Sequence, residues 1–393
     1  MRKRIEDYLK LPRLRSKYQL ASPKKKTQIL DEVCDLTGIH RKSLIRILNK
    51  NPKRKKKRRG LKPRYQYDKI IPILKKIWLT SDQICSKKLC VAIREWLPYY
   101  EIENGVLPEF VRLQLLSVSP STIDRLLKKT RIKVKNNRMG GTKPGSILKN
   151  QIPIKMHHWD DNEPGFLEAD SVAHCGNSMQ GNFVWSLTFT DIHTTWTENR
   201  AMWNKGSAGV INNIKEMEAT LPFKIKGFDC DNGAEFLNYH LINYFSDRPK
   251  ELMVQFTRSR PYHKNDNAHV EQKNWTHVRQ LLGYDRFDNP ILVELLNELY
   301  IDIWCVYQNH FIPTMKCIKK EKINSKYYKK FDTPKTPYER ILECKHISEE
   351  TKSKLRAKHK KLNPFELKRQ IEKKLRNIFK YVRVTSTTAR KNI

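Results

Sequence analysis

The sequence predicts a multidomain protein in which a central α/β unit lies between two basic, mainly helical regions. Three observations predict this class. Residues 151–290 carry a net charge of −4, against +27 before them and +14 after them, within a total of +37. Near residue 150 the apolar pattern changes from helical spacing to short β-branched and aromatic runs. The length of 393 residues also suggests two to four domains, at about 100–200 residues per domain.

Composition excludes several classes of protein. Hydrophobic residues make up 38% of the chain, which is enough for packed cores and excludes a wholly disordered basic protein. The eight cysteines are scattered without CxxC pairs, which argues against a disulfide scaffold or a zinc ribbon. No apolar run is long enough for a membrane span. We therefore expect a cytoplasmic protein whose basic flanks bind a polyanion and not a membrane.

Residues 1–60 are predicted to form a helix-turn-helix module with a basic linker. Apolar residues at helical spacing stop at Gly38 and resume at Leu44, which indicates two helices around a turn. A helical hairpin without a DNA-binding role is the alternative. The linker at 51–59 has seven basic residues in nine. The polar side of the second helix supplies the residues expected to contact DNA: Arg41, Lys42, Ser43 and Arg46.

Residues 61–150 repeat the helical theme and are predicted to hold a second helix-turn-helix module. A helix start is indicated around Pro120, where Ser121 and Asp124 resemble a capping box. Residues 131–150 are basic and rich in glycine, which is typical of a linker. The outward side of the helix supplies three expected DNA contacts: Arg125, Lys128 and Lys129.

Residues 151–288 are predicted to form a mixed α/β core, and residues 289–393 a basic, mainly helical C-terminal region. The order of elements in the core is three strands, helix, strand, helix, strand, helix, which indicates a mixed layer fold with five strands. The strands are expected at 166–172, 183–190, 194–202, 223–228 and 254–257, and the helices at 207–219, 235–246 and 267–282.

Three carboxylates stand at chemically informative places in this core. Asp170 lies on the first strand, Asp231 ends the fourth strand, and Glu271 lies on the first turns of the last helix. The intervals are 60 and 39 residues. Carboxylate oxygens are ligands that Mg²⁺ prefers, and two bound metal ions can drive in-line displacement at a phosphodiester. Rival acids lie close by in the sequence: Glu168, Asp160 and Asp161 for the first position, Asp229 for the second, Glu235 and Asp266 for the third.

Two strings in the core carry a family resemblance. CDNGAEF at 230–236 and RPYHKNDNAHVEQKN at 260–274 resemble the segments around the second and third carboxylates of the DDE integrase core, found in bacterial insertion-sequence transposases and retroviral integrases. LEADSV at 167–172 resembles the strand that bears the first carboxylate, and TPKTPYERIL at 333–342 a segment of the C-terminal region. The interval of 39 residues is longer than the one near 35 that is common in the family.

The resemblance implies an RNase H-like core in which Asp170, Asp231 and Glu271 are both the catalytic residues and the metal ligands. It implies Mg²⁺ as the cofactor, with Mn²⁺ as a substitute. Residues near the third carboxylate are further candidates for contacting DNA near the cleaved bond: Lys264, Asn265, Asn267 and Lys273. His263 and His269 are candidates for contacting phosphate or moving a proton, or are ordinary surface histidines. No zinc site is carried over, because a His-His-Cys-Cys module is absent from the N-terminal sequence.

As a function, the resemblance implies a transposase that binds the terminal repeats of a mobile element and catalyses hydrolysis and strand transfer during DNA integration. The implied partners are element ends and target DNA, held by a homo-oligomer in a bacterial cytoplasm at the nucleoid. Two alternatives stay open. One is an RNase H-fold nuclease that cuts without joining, and the other is a transposase-derived regulator that binds DNA without catalysis.

Overall fold

The computed structural model describes residues 12–49, 65–136, 163–230, 236, 239–258, 268–323 and 326–382. These residues form two compact units, one before Tyr65 and one from Tyr65 onward. The basic run at 51–59 and most of the glycine-rich linker lie outside the described residues. No helix within the described ranges is both long and apolar enough to cross a bilayer.

The first unit is a group of three helices: α1 (Pro12–Leu20), α2 (Pro23–Thr37) and α3 (Arg41–Asn49). Helix α2 ends at the predicted place, because Gly38 adopts a left-handed conformation (φ +68°) and its N–H donates to the carbonyl of Cys34 at 2.8 Å. Its apolar residues are buried together with those of its neighbours: Tyr18, Ile29, Leu30, Val33, Leu44 and Leu48.

Four helices open the second unit: α4 (Tyr67–Thr80), α5 (Ser86–Asn104), α6 (Glu109–Leu116) and α7 (Pro120–Asn136). The start of α7 differs from the predicted capping box. The hydroxyl of Ser119 accepts from the Thr122 N–H at 3.3 Å, while Asp124 accepts from the Ser86 hydroxyl at 2.6 Å and binds Arg131. The hydrogen bond from Ser86 is the first cause of a lowered pKa at Asp124. Asp124 therefore ties α7 to α5.

Five strands form one mixed sheet in the order β3-β2-β1-β4-β5, as predicted in number and type. The strands are β1 (Phe166–Ala173), β2 (Val184–Asp191), β3 (Thr197–Trp203), β4 (Gly227–Cys230) and β5 (Gln255–Arg258). β1, β2 and β3 pair antiparallel, whereas β4 pairs parallel with both β1 and β5. Parallel neighbours need a crossover, and α9 (Tyr239–Ser246) lies between β4 and β5 in the chain, after α8 (Ser207–Thr220).

The third strand begins three residues later than the sequence predicts. Asp191 closes a turn after β2, because its Oδ2 accepts from the Thr194 N–H at 2.7 Å. Thr195 then takes a left-handed conformation (φ +61°). This turn chemistry removes both threonines from β3, which starts at Thr197. Burial raises the pKa of Asp191 in spite of these hydrogen bonds.

Two long helices follow the sheet, and each contains a π-helical turn. We call α10 the consecutive segments Ala268–Lys273, Asn274–Arg279 and Gln280–Leu282, and α11 the segments Ile291–Leu299, Tyr300–Trp304 and Cys305–Phe311. The middle segment of each is π-helical. Such turns are rare, and they are frequent at functional sites.

The C-terminal region is helical as predicted, except for one hairpin. Its helices are α12 (Pro337–Glu343), α13 (Glu349–Lys360) and α14 (Pro364–Tyr381). Strands β6 (Cys317–Ile323) and β7 (Lys326–Phe331) form a separate two-stranded antiparallel sheet. The sequence did not predict this hairpin, because a lysine-rich segment lacks the apolar alternation that signals a strand.

A cluster of buried apolar side chains runs through the second unit from α4 to α14. The indole N–H of Trp96 on α5 donates to the carbonyl of Phe311 on α11 at 3.1 Å, and the ring of Trp96 packs edge-on against Phe365 of α14. Tyr307 donates to the carbonyl of Thr80. The boundaries predicted between 150 and 151 and between 288 and 289 stay predictions, since the described residues from Tyr65 onward form one compact unit.

Candidate active site

Two acidic side chains lie on the central strand of the sheet. Glu168 and Asp170 alternate along β1 with Leu167 and Ala169, so the acids share one face of the strand and the apolar residues the other. Glu168 is buried and Asp170 is half-buried. The sequence left open which of the two acids is the functional one, and their hydrogen bonds separate their roles.

Glu168 binds the beginning of α10. Its Oε2 accepts from the backbone N–H of His269 at 3.0 Å and from that of Val270 at 2.9 Å. The first N–H groups of a helix have no partner within the helix, and a negative charge there is favourable. Glu168 therefore anchors α10 against β1 through its backbone.

Asp170 binds the side chain of the same helix one turn further on. Asn274 Nδ2 donates to Asp170 Oδ2 at 2.6 Å, and the other oxygen of Asp170 accepts from the Ser171 N–H at 2.7 Å. Glu271 precedes Asn274 by three residues and is exposed. Residues three apart on a helix are neighbours on its surface. Asp170 is therefore bonded to α10 one turn after Glu271.

The fourth strand lies beside these acids. In the parallel pairing of β1 and β4, Glu168 is opposite Asp229 and Ala169 is opposite Cys230. The carboxylate of Asp229 accepts from the Thr257 hydroxyl of β5 at 2.7 Å. Asp229 thus links two strands. Asp231, the predicted second carboxylate, lies outside the described residues, as do Lys264 and the other loop candidates: Glu235, His263, Asn265, Asp266 and Asn267.

Lys273 is buried, which differs from the exposed cation that the sequence predicted. Its side chain is 7% exposed, and no acidic partner for it is found among the described residues. Burial, followed by the charges of Lys88 and Arg340, lowers the pKa of Lys273 to about 7. Lys273 is therefore not assigned to the surface that contacts DNA.

The remaining predicted DNA contacts are available on two helices. On α3, Lys42, Ser43 and Arg46 are exposed, while Arg41 is paired with Asp31. The expected contacts on α7, which are Arg125, Lys128 and Lys129, are all exposed. Whether these side chains bind DNA stays a prediction.

The described residues do not by themselves form a metal site. Among the described residues, no group of three or more His, Cys, Asp or Glu side chains could hold a metal ion. Asp231 lies outside these residues. The donors present are hard oxygens, which fit Mg²⁺. The Oδ1 of Asn274 is buried and has no hydrogen-bond partner in the described part of the chain.

Sequence reasoning missed Asn274 and the anchoring role of Glu168. A signal existed for both. Asn274 follows Glu271 at the helical spacing of three, and Glu168 precedes Asp170 at the strand spacing of two. These spacings are visible in the sequence. The packing of α10 against β1 is not visible there, and it decides which residues each side chain contacts.

A curated bacterial protein is similar to this chain over most of its length. It is "Uncharacterized protein y4rM" of Sinorhizobium fredii (strain NBRC 101917 / NGR234), with 34% identity over 326 residues, which cover 82% of this chain and 91% of that protein. No protein-family model matches the chain. A solved structure of the catalytic core domain of BIV integrase aligns with 46% of this chain and 96% of its own, at 16% identity and a TM-score of 0.29. A TM-score this low does not establish a common fold. Because the identity to y4rM extends over most of both chains, the protein belongs to the same family as y4rM.

Proposed function

We propose that the protein is a DDE transposase that binds the ends of a mobile DNA element, hydrolyses a phosphodiester bond there and joins the freed 3′-OH to target DNA. The observation that carries the proposal is the hydrogen bond from Asn274 to Asp170. It fixes the helix that carries Glu271 against the strand that carries Asp170. We infer that two of the three predicted carboxylates act together there, although they are far apart in the sequence.

Asp231 completes the proposed set. It is bonded directly to Cys230, whose Cα is paired with that of Ala169, the residue before Asp170. Cys230 is the last residue of β4, so the described part of that strand ends beside the residue that precedes Asp170. Glu168 is the weaker candidate for the first position, because it is buried and its Oε2 accepts from two backbone N–H groups of α10. Asp229 is the weaker candidate for the second position, because the resemblance at 230–236 favours Asp231.

In this proposal Asp170, Asp231 and Glu271 hold Mg²⁺, for which Mn²⁺ can substitute. When bound, a pair of such ions activates the attacking oxygen and stabilises the leaving oxygen of an in-line displacement. The residues of the chain do the positioning. Asn274 orients the Asp170 carboxylate, and Glu168 sets the start of the helix that presents Glu271.

The proposed partners are element ends and target DNA, and strand transfer requires that two ends be held together, so we propose a homo-oligomer on DNA. The exposed cations of α3 and α7 are the proposed end-recognition surfaces. A helix of this kind reads base edges when it lies in the major groove. The net charge of +27 over residues 1–150 supplies the electrostatic part of such binding.

A nuclease that cuts without joining is the second candidate, and a DNA-binding regulator is the third. The presence of all three carboxylates in the sequence favours catalysis over the regulator. The two groups of exposed cations, on α3 and on α7, favour end recognition over a general nuclease.

The test is an incubation of the purified protein with a labelled fragment carrying an end of its own element and a plasmid target, in Mg²⁺ or in EDTA. The proposal predicts metal-dependent nicking at the end, followed by joined products. Nicking without joining, with both ends supplied, would support the nuclease. Binding without any cleavage in Mg²⁺ or Mn²⁺ would support the regulator.

A further inference from the structure

The hairpin β6–β7 stands apart from the main sheet. Its two strands pair only with each other within the described residues, and its large apolar side chains are open to solvent. Ile318 and Tyr328 are each 57% exposed, and Phe331 is 45% exposed. An isolated two-stranded ribbon is marginal in water, so this hairpin depends on its base or on a partner.

The charge of the hairpin is strongly one-sided. Residues 317–331 contain six lysines and a single acid, Glu321, which pairs with Lys319 at 2.5 Å. The register places Lys319 opposite Lys330, and both are exposed. Like charges directly opposite in a sheet are destabilising. A polyanion lying along the ribbon removes this cost.

The base of the hairpin is fixed to the second unit. Lys316 N–H donates to Asp332 at 2.7 Å, and Asp332 pairs with Arg340 of α12 at 2.7 Å. The hydroxyls of Thr314 and Thr195 lie 2.7 Å apart, which joins the base to the turn between β2 and β3. The ribbon is therefore an arm held at its base, with its two strands extending beyond it.

A cleft joins this arm to the helix α7. Its volume is about 520 Å³, and it is lined by Lys329, Lys330 and Phe331 of the hairpin, Lys87 of α5 and Pro120 at the start of α7. Helix α7 carries the exposed cations Arg125, Lys128 and Lys129. The arm and the start of the helix thus border one cleft, and the cations that line it are Lys329 and Lys330 of the hairpin and Lys87 of α5.

We propose that the β6–β7 hairpin is a second DNA-binding element, which lies on the same duplex as α7 and contacts its phosphates through Lys319, Lys329 and Lys330. This inference rests on the proposed function and names a surface that it does not use. The major groove admits an α-helix or a two-stranded ribbon. Duplex DNA is therefore the occupant that fits the charge of both elements and the shape of each.

The test compares the full chain with a variant carrying Lys319→Gln, Lys329→Gln and Lys330→Gln. A matched control carries Lys215→Gln, Lys224→Gln and Lys250→Gln, which are three exposed lysines of the α/β core. Affinity for duplex DNA is measured over a range of salt concentrations, with thermal unfolding as a check of folding. The salt slope is the steepness with which the logarithm of the affinity falls with the logarithm of the salt concentration. Each lost phosphate contact reduces it by about 1.

We expect the hairpin variant to lose about 3 units of slope and roughly tenfold or more in duplex affinity, while the control keeps both values. An unchanged slope and affinity in the hairpin variant would overturn the inference. If the unmodified protein binds no duplex DNA at low salt, the proposed function itself fails, and that result is separate from a failure of the hairpin alone.

Discussion

The side chain of Asn274 donates to the carboxylate of Asp170 at 2.6 Å, and this bond joins the middle of one helix to the central strand of the sheet. Asn274 is the first residue of the π-helical turn of α10, three positions after Glu271. The bond thus sets both the rotation of the helix about its axis and the orientation of the Asp170 carboxylate.

Asn274→Ala is predicted to lower the rate of DNA cleavage by about 10- to 100-fold, the range seen when a partner that orients a metal ligand is removed. DNA affinity is expected to stay unchanged, because Asn274 acts through Asp170. Steady-state cleavage and a binding titration measure the two effects. Asn212→Ala, at an exposed position of α8, is the control, and a wild-type rate for Asn274→Ala would contradict the orienting role of Asn274.

Glu168→Ala is predicted to destabilise the fold by about 2–4 kcal/mol, because two backbone N–H groups lose their acceptor at a buried place. Glu168→Gln keeps one oxygen acceptor and is expected to lose less. Chemical denaturation gives both free energies of unfolding.

Substitutions of Glu168 and Asp170 separate the anchoring of α10 from catalysis. Glu168→Gln is expected to retain measurable cleavage, whereas Asp170→Asn abolishes it. If Glu168→Gln were inactive and Asp170→Asn active, the first carboxylate would have to be reassigned to Glu168.

Lys273→Met is predicted to change how stability depends on pH. The folded pKa of about 7 lies below the ordinary value of 10.5, so the unfolded chain binds more protons between these values. The free energy of unfolding of the unmodified protein therefore rises with pH across this window, by up to about 1.4 kcal/mol per unit from this group. Without this titration, the variant gains most, relative to the unmodified protein, at and below about pH 7, and the gain falls as the pH rises towards 10.5.

Denaturation at about pH 7, 8.5 and 10, which spans this window, measures the difference between the two proteins. Lys75→Met, at an exposed position of α4, is the matched control and is expected to show a constant difference. A constant difference for Lys273→Met as well would show that the Lys273 side chain is not buried.

Ser43→Ala with Arg46→Ala is predicted to weaken binding to the element's own ends while leaving affinity for random DNA nearly unchanged. Both residues are exposed on α3, and contacts to base edges contribute about 1–3 kcal/mol of discrimination each. Competition binding measures the ratio of the affinity for the element's ends to the affinity for random DNA. The control is Lys24→Ala with Lys25→Ala on α2, and an unchanged ratio for the α3 variant would remove α3 from recognition.

The sequence predicted the number of strands and their order along the chain well. The run from Phe183 to Thr190 is apolar and β-branched, and its observed strand, β2, begins at Val184 and ends at Asp191. The fourth strand was placed at 223–228 but is observed at Gly227–Cys230. Its position follows from the pairing with β1, which local propensity does not contain.

The hairpin and the Asn274–Asp170 bond were beyond prediction for physical reasons. Cys317–Ile323 has three lysines and one glutamate among its seven residues, so neither period 2 nor period 3.6 of apolar residues is visible in it. Asn274 is one of many polar residues on α10, and its role depends on a contact across 104 positions of sequence. Lys273 was misjudged in the same way, since its burial depends on packing that sequence periodicity does not specify.

The central claim is that three carboxylates act together in metal-dependent cleavage and joining of DNA. The most direct measurement is the strand-transfer assay with Asp170→Asn, Asp231→Asn and Glu271→Gln, beside Glu216→Gln, an exposed acid on α8, as the control. Each of the three variants is predicted to bind DNA normally and to lose both nicking and joining in Mg²⁺, while the control stays active. Undiminished cleavage by any one of the three would remove that residue from the site and contradict the account.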